Sequence, residues 1–201
     1  LPVKKVGKNQ LYDGGFVDDA IVKLSHNGDV LFQKSVSEIF IENGMEHRLF
    51  SLGQHFSNDP IHLNDIQPVN FDSRFWKKGD VFLSLRHQSM VILYRPSSGK
   101  IIWKGEGPFH YQHDIDILNE HSISIFNNNS KNFVNGTYVD GNNEILIYNF
   151  LTDEYTTHLS NSLIAHDVRT ITAGLGQILP NGDLFVEEQN YGRLIYFNNH
   201  G

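Results

Sequence analysis

Between His62 and Asn129 the sequence sets down three groups of residues able to do chemistry. They are His62 and Asn64 in a His-x-Asn step, the adjacent Arg86 and His87, and the run Gln112-His113-Asp114. A neutral imidazole, with a reference pKa of about 6.5, is a nucleophile or proton carrier at neutral pH without a separate base to activate it. A guanidinium presents a planar fork of donors that matches the oxygens of an oxyanion. Two or three imidazoles and one guanidinium sharing a hollow would suit transfer of a tetrahedral anionic group. The chain shows no carboxylate pair at an obvious glycosidase position, no Gly-rich phosphate loop and no His-Glu-x-x-His step. It has no cysteine, which removes thiol nucleophiles, disulfides and zinc-thiolate sites together.

The elements that must position these groups read as strands. Asn27-Gly28, Asn43-Gly44, Gly79-Asp80, Ser98-Gly99, Asn135-Gly136, Gly141-Asn142 and Asn181-Gly182 punctuate alternating β-branched and aromatic runs. Residues 20–32, 114–126 and 176–186 share one form: an apolar strand, a tight polar turn and a second strand. Residues 79–103 add a third and fourth strand closed by Trp103, and residues 143–159 form a similar closing hairpin. The one good helical pattern is 36–43, where Val36, Ile39 and Phe40 share a face ahead of Gly44. Repeated units of four short antiparallel strands predict an all-β chain, a β-propeller forming a single domain over 1–201. A lone four-stranded sheet cannot bury both faces, whereas packing one against the next around an axis does so and aims the first strand of each at a central channel. At roughly 45 residues per blade the chain would hold four to five blades, so it is expected to be incomplete at its amino end. In this arrangement His62 precedes one inner strand, His113 starts the next, and Arg86 and His87 end the strand beside it.

Composition narrows the partners. With 201 residues, 39% of them hydrophobic, the chain can bury a core, and its net charge of -7 argues against nucleic acid or an anionic membrane. No apolar run approaches the roughly 18 residues of a membrane span, and no signal segment is present. Because the chain starts at Leu1, it is expected to be processed or excised, and a signal lost upstream would place it outside the cell or in the periplasm. Asn128-Asn129-Ser130 and Asn135-Gly136-Thr137 fit the glycosylation triplet.

The motifs together resemble a known family. His62-Leu-Asn-Asp65, Leu83-Ser-Leu-Arg-His-Gln88, Gly99-Lys-Ile-Ile-Trp103, Gln112-His-Asp114 and Phe126-Asn-Asn128 are similar, in order, to the His-x-Asn-Ser, Ser-x-Arg-His, Gly-Lys-x-x-Trp, Gln-His and Phe-Asp-Asn elements of the bacterial PAPS-independent arylsulfotransferases. The likeness covers about residues 18–200 and continues into Leu179-Pro-Asn-Gly182. It implies a six-bladed propeller parent, and transfer of a sulfuryl group from an aryl sulfate to a phenol with neither metal nor other cofactor. His113 would be the transiently sulfated nucleophile, Arg86 would hold the sulfuryl oxygens, and His62 with Asn64 would serve the departing and entering phenolic oxygens. His87, Asn128 and Asp19 would line the substrate. Two elements depart from the family: Asp18-Asp19 stands where it has a further histidine, and Asn127 replaces the aspartate of Phe-Asp-Asn.

An aspartate near a sulfate ester would repel it. Asp18 and Asp19 therefore favour a rival reading, a catalytically silent propeller that binds a glycan or a protein. A second rival uses the histidines as metal ligands of a lyase or hydrolase. Strict alternation points His87 away from Arg86 and assigns it a structural role too. His166-Asp167 echoes the Gln-His-Asp run without an accompanying arginine motif, and His55, His110 and His121 read as turn or surface residues. Trp103 reads as a packing anchor between blades.

Overall fold

A computed structural model of the chain describes residues 16–51 and 57–200. Its elements begin with a hairpin of β1 (Ala20–Leu24) and β2 (Val30–Ser35), followed by α1 (Val36–Glu42) and α2 (His47–Phe50). The predicted helix is present, and Ser35 starts it by accepting the Glu38 amide while Val36, Ile39 and Phe40 are fully buried. Gly44 follows at φ +74°, a left-handed turn for which glycine has no steric cost.

β3 (Leu63–Pro68), β4 (Val81–Leu85), β5 (Met90–Arg95) and β6 (Lys100–Gly105) form the first complete sheet, a four-stranded antiparallel meander. β7 (His113–Asn119), β8 (Ser122–Asn127), β11 (Glu144–Asn149) and β12 (Glu154–His158) form the second. Between β8 and β11 a separate hairpin is inserted, β9 (Ser130–Phe133) with β10 (Gly136–Val139). After α3 (Ser160–Ala165), strands β13 (Leu175–Ile178), β14 (Leu184–Glu188) and β15 (Arg193–Phe197) make a three-stranded sheet. The chain is thus all-β in character, with the antiparallel four-stranded unit that the turn spacing predicts. Among the described residues the sheets close no ring.

Consecutive sheets bury their faces against each other. Ile21, Val36, Ile39 and Phe40 pack on Leu83, Leu85, Ile92 and Tyr94. Phe82, Val91 and Leu93 pack on Ile115, Ile123, Ile125, Leu146 and Tyr148, with Trp103 stacked on Tyr148 at 5.0 Å. Trp103 therefore anchors one sheet on the next. Phe126 and Ile145 continue the series onto Leu184, Val186 and Phe197. Truncating one such aromatic, Phe82→Ala for example, is expected to cost about 3–5 kcal/mol.

A repeated polar clasp ties the first strands of the sheets. The Asp19 carboxylate accepts the Leu63 amide, Asp65 accepts Ile115, and Asp114 accepts Gly176, each at 2.8 Å. Each buried amide gains a charged acceptor, which is a stronger bond than a neutral one. These clasps set β3, β7 and β13 side by side.

Candidate active site

The first strands of the two four-stranded sheets are irregular where they start. Pairing of β3 with β4 skips Asn64, and pairing of β7 with β8 skips Asp114, so each strand opens on a local bulge. Such bulges re-aim side chains, and here they flank the two histidines. The backbone is also strained at this end: His62, Tyr111 and Ala173 hold φ values of +53°, +52° and +56°. Non-glycine residues pay of order 1–3 kcal/mol for such conformations, which persist where surrounding contacts fix them.

His62, Arg86 and His113 are linked through intermediate side chains. The His62 ring stacks on His87 with centroids 4.4 Å apart, and Arg86 Nη1 lies 2.8 Å from His87 Nε2. The Arg86 guanidinium sits 4.6 Å over the Tyr111 ring, two residues ahead of His113. The expectation that His87 points away from Arg86 is overturned. Residues Arg86–Gln88 leave the strand as a 3-10 turn, where strand alternation no longer applies.

The partners fix the protons. His87 Nδ1 is 2.7 Å from the Asp59 carbonyl oxygen, which only accepts, so that nitrogen carries hydrogen. Arg86 only donates, so His87 Nε2 offers its lone pair and the ring is neutral. Burial lowers the His87 pKa, with the Asp59 backbone bond opposing. His62 Nδ1 lies 2.5 Å from Asp59 Oδ2 and donates to it, and no hydrogen bond among the described residues engages His62 Nε2.

At His113 the same logic applies. Asn128 is fully buried and donates Nδ2 to the carbonyls of Thr170 and Ala173, which turns its Oδ1 toward His113 Nδ1 at 2.7 Å. Nδ1 therefore bears the proton, and Nε2 accepts the Ala173 amide at 3.1 Å. Burial pushes the His113 pKa down to about 4; the Asn128 bond opposes this, and the nearby positive potential of Arg86 and of His62 adds to it. The ring is neutral at pH 7.

Asn64 donates to the Gln112 carbonyl at 2.8 Å, and its own Oδ1 is buried without a partner. Gln112, also fully buried, bonds to Ser84 and the Met90 carbonyl, which holds the chain just before His113. Burial lowers the pKa of Arg86, partly offset by Tyr111 and Asp59. Arg86 makes no ion pair with a carboxylate among the described residues, and its Nε is buried without a partner. A half-desolvated cation in this state is a ready site for an anion.

Several sequence expectations find their residues occupied elsewhere. Asp18 accepts the Ser35 hydroxyl and the Ser37 amide and so belongs to the start of α1. Asp19, expected to line the substrate, has Oδ2 on the Leu63 amide. Both carboxylates thus accept hydrogen bonds within the fold. Asn128 is spent on His113 and two carbonyls, and its burial also closes the Asn128-Asn129-Ser130 triplet to a glycan. His166 ends α3 with its ring against Phe197, Asp167 pairs with Arg169, His110 is exposed and His121 sits in a turn. His55 lies outside the described residues. A hollow of about 260 Å³, lined by Asp167, Arg169, Glu188, Tyr191 and Arg193, includes none of the His62–Arg86–His113 groups.

Asp59 and Tyr111 were missed. Their only sequence signal is nearness: Asp59 stands three residues before His62, and Tyr111 two before His113. Asp59, His62 and His87 place three potential metal ligands within 4.8 Å of one another. With a proton on one nitrogen of His87 and the Arg86 guanidinium on the other, that ring has no free lone pair for a cation. Arg86 also adds positive charge beside it.

Among the described residues no helix is long and apolar enough to cross a membrane. No curated protein matches the chain. The family model described as arylsulfotransferase (ASST) matches residues 2–201, nearly the whole sequence, and the chain belongs to the arylsulfotransferase family.

Proposed function

We propose that this protein transfers a sulfuryl group from an aryl sulfate to a phenolic acceptor through a transient sulfohistidine at His113, on a propeller scaffold to which the stacked sheets contribute. The observation that carries the reading is Arg86: half-buried, without a carboxylate partner among the described residues, and linked to the neutral His87 imidazole. Its charge binds the sulfuryl oxygens, and their negative charge replaces the counterion the site lacks.

His113 Nε2 then attacks sulfur. The new N–S bond forms as the S–O bond to the aryl group breaks, and the aryl oxygen leaves with the electron pair. His62 keeps its Nδ1–H on Asp59 throughout, and a proton taken up from solvent at its Nε2 is passed to the departing phenolate. The now neutral Nε2 takes the proton of an incoming phenol, whose oxygen attacks the sulfohistidine and restores His113. The proton balance closes over the two half-reactions. Before attack, His113 Nε2 must release the Ala173 amide, at a net cost of about 1 kcal/mol.

Incubation with a chromogenic aryl sulfate, with and without phenol, tests this. Phenol-dependent release of the chromophore, a mass gain of one SO3 in a stopped reaction, and loss of both in His113→Asn are expected. A folded protein that releases no chromophore from any aryl sulfate would overturn it.

A further inference from the structure

Asp59 serves both imidazoles of the stacked pair through different atoms. Its Oδ2 lies on His62 Nδ1 at 2.5 Å, and its main-chain oxygen lies on His87 Nδ1 at 2.7 Å. The carboxylate is largely withdrawn from water, 24% exposed, and its Oδ1 is buried with no other partner. Asp59 Oδ2 also comes within 3.7 Å of His87 Nδ1, so one carboxylate faces both ring edges. A histidine free in water prefers its proton on Nε2. Here both rings carry it on Nδ1, and one residue imposes that.

We propose that Asp59 is the positioning residue of this site: it locks His62 as the Nδ1–H form, with Nε2 directed to the phenolic oxygen, and holds His87 so that its Nε2 receives Arg86. The proposal rests on the reading of His62 as the proton carrier of sulfuryl transfer. Its physical content is separate, because the location of a ring proton exists whether or not the protein is a transferase. When His62 becomes the imidazolium, the Asp59 carboxylate is its counterion; without it, two cations, His62 and Arg86, would face one another across the His87 ring. The side chain acts on His62 and the main chain on His87, so the two effects separate by mutation.

The test compares Asp59→Ala and Asp59→Asn by long-range ¹H–¹⁵N NMR of the histidine rings and by steady-state kinetics with an aryl sulfate and phenol. In Asp59→Ala the His62 proton is expected to move to Nε2, while His87 keeps its proton on Nδ1 because the main-chain oxygen remains. Asp59→Asn, close in shape, keeps both protons in place but lacks the charge. Transfer by Asp59→Ala is expected to fall by about 10²-fold in kcat with KM changed little, and Asp59→Asn to fall less. A neutral wild-type His62 ring with its single proton on Nε2, or one left on Nδ1 in Asp59→Ala, overturns the proposal. Activity lost to a chelator and restored by zinc would overturn it in favour of a metal-ligand role. If the His62 proton moves as expected but the wild type transfers no sulfuryl group, the positioning role stands and the sulfotransfer reading falls.

Discussion

Asn128 holds His113 from below: its Oδ1 is 2.7 Å from His113 Nδ1, while its amide donates to Thr170 and Ala173 on the segment leading into the next sheet. The imidazole is thereby oriented by a residue whose own orientation cannot flip. Asn128→Ala is expected to free the ring, lower kcat about 10–100-fold, and destabilise the fold by about 1–3 kcal/mol by leaving the Ala173 carbonyl and the His113 Nδ1–H without their partner. Equilibrium denaturation and steady-state rates measured on one preparation check both numbers. An unchanged rate would show that His113 needs no such holder.

The depressed pKa of His113 gives a pH signature. Its folded value of about 4 lies below the unfolded value of 6.5, so the folded state binds fewer protons between the two. The corresponding stability is fully present above about pH 6.5 and is lost as pH falls toward 4, by up to about 3 kcal/mol. The nucleophile also stays neutral to about pH 4, so the His113 limb of kcat/KM should fall only below that point. NMR titration of the His113 ring measures the value directly, and a midpoint near 6.5 would contradict the burial argument.

Asp114 runs the opposite way. Burial pushes its carboxyl up to about 6 from 3.8, eased by the Gly176 amide and aggravated by Asp116 and Asp65. A raised carboxyl pKa means that the charged form is the costly one, so stability falls as pH rises from about 3.8 through 6. Asp114→Asn keeps an oxygen for Gly176 and sheds the charge. It is expected to stabilise the protein by about 1–2 kcal/mol at pH 7 and by little at pH 4. Thermal melts at the two pH values read the difference.

Arg86 should trade stability for function. Its cation is half-buried without a carboxylate, so Arg86→Gln removes a desolvation cost while discarding the oxyanion contact. Aryl sulfate turnover is expected to drop about 10²–10³-fold, with the melting temperature unchanged or higher. A marked loss of melting temperature would mean that Arg86 is a structural residue, bound through His87 and Tyr111.

Much of the scaffold follows from local rules. Alternation with tight polar or glycine turns predicts the hairpins of β1–β2, β5–β6, β7–β8, β11–β12 and β13–β14, because side-chain direction in a strand repeats every two residues and the turn residues lie beside it in the chain. The helix at Val36–Glu42 is legible for the same reason, since the apolar face of Val36, Ile39 and Phe40 and the closing Gly44 lie close together in the chain.

The motif order also shows that the chain is an arylsulfotransferase relative, and it names His62, Arg86 and His113 before any contact is known. The partners of those residues are a different matter. Bulges at Asn64 and Asp114 and the 3-10 turn at Arg86–Gln88 break the period from which facing is inferred, so strand alternation misplaces His87. Asp19 meets Leu63 across 44 residues and His113 meets Ala173 across 60, distances over which no periodicity carries information. Residue types and local rhythm come from the sequence. Which proton sits on which nitrogen, and which aspartate belongs to the fold, is decided only when the sheets stack and bring distant donors and acceptors together.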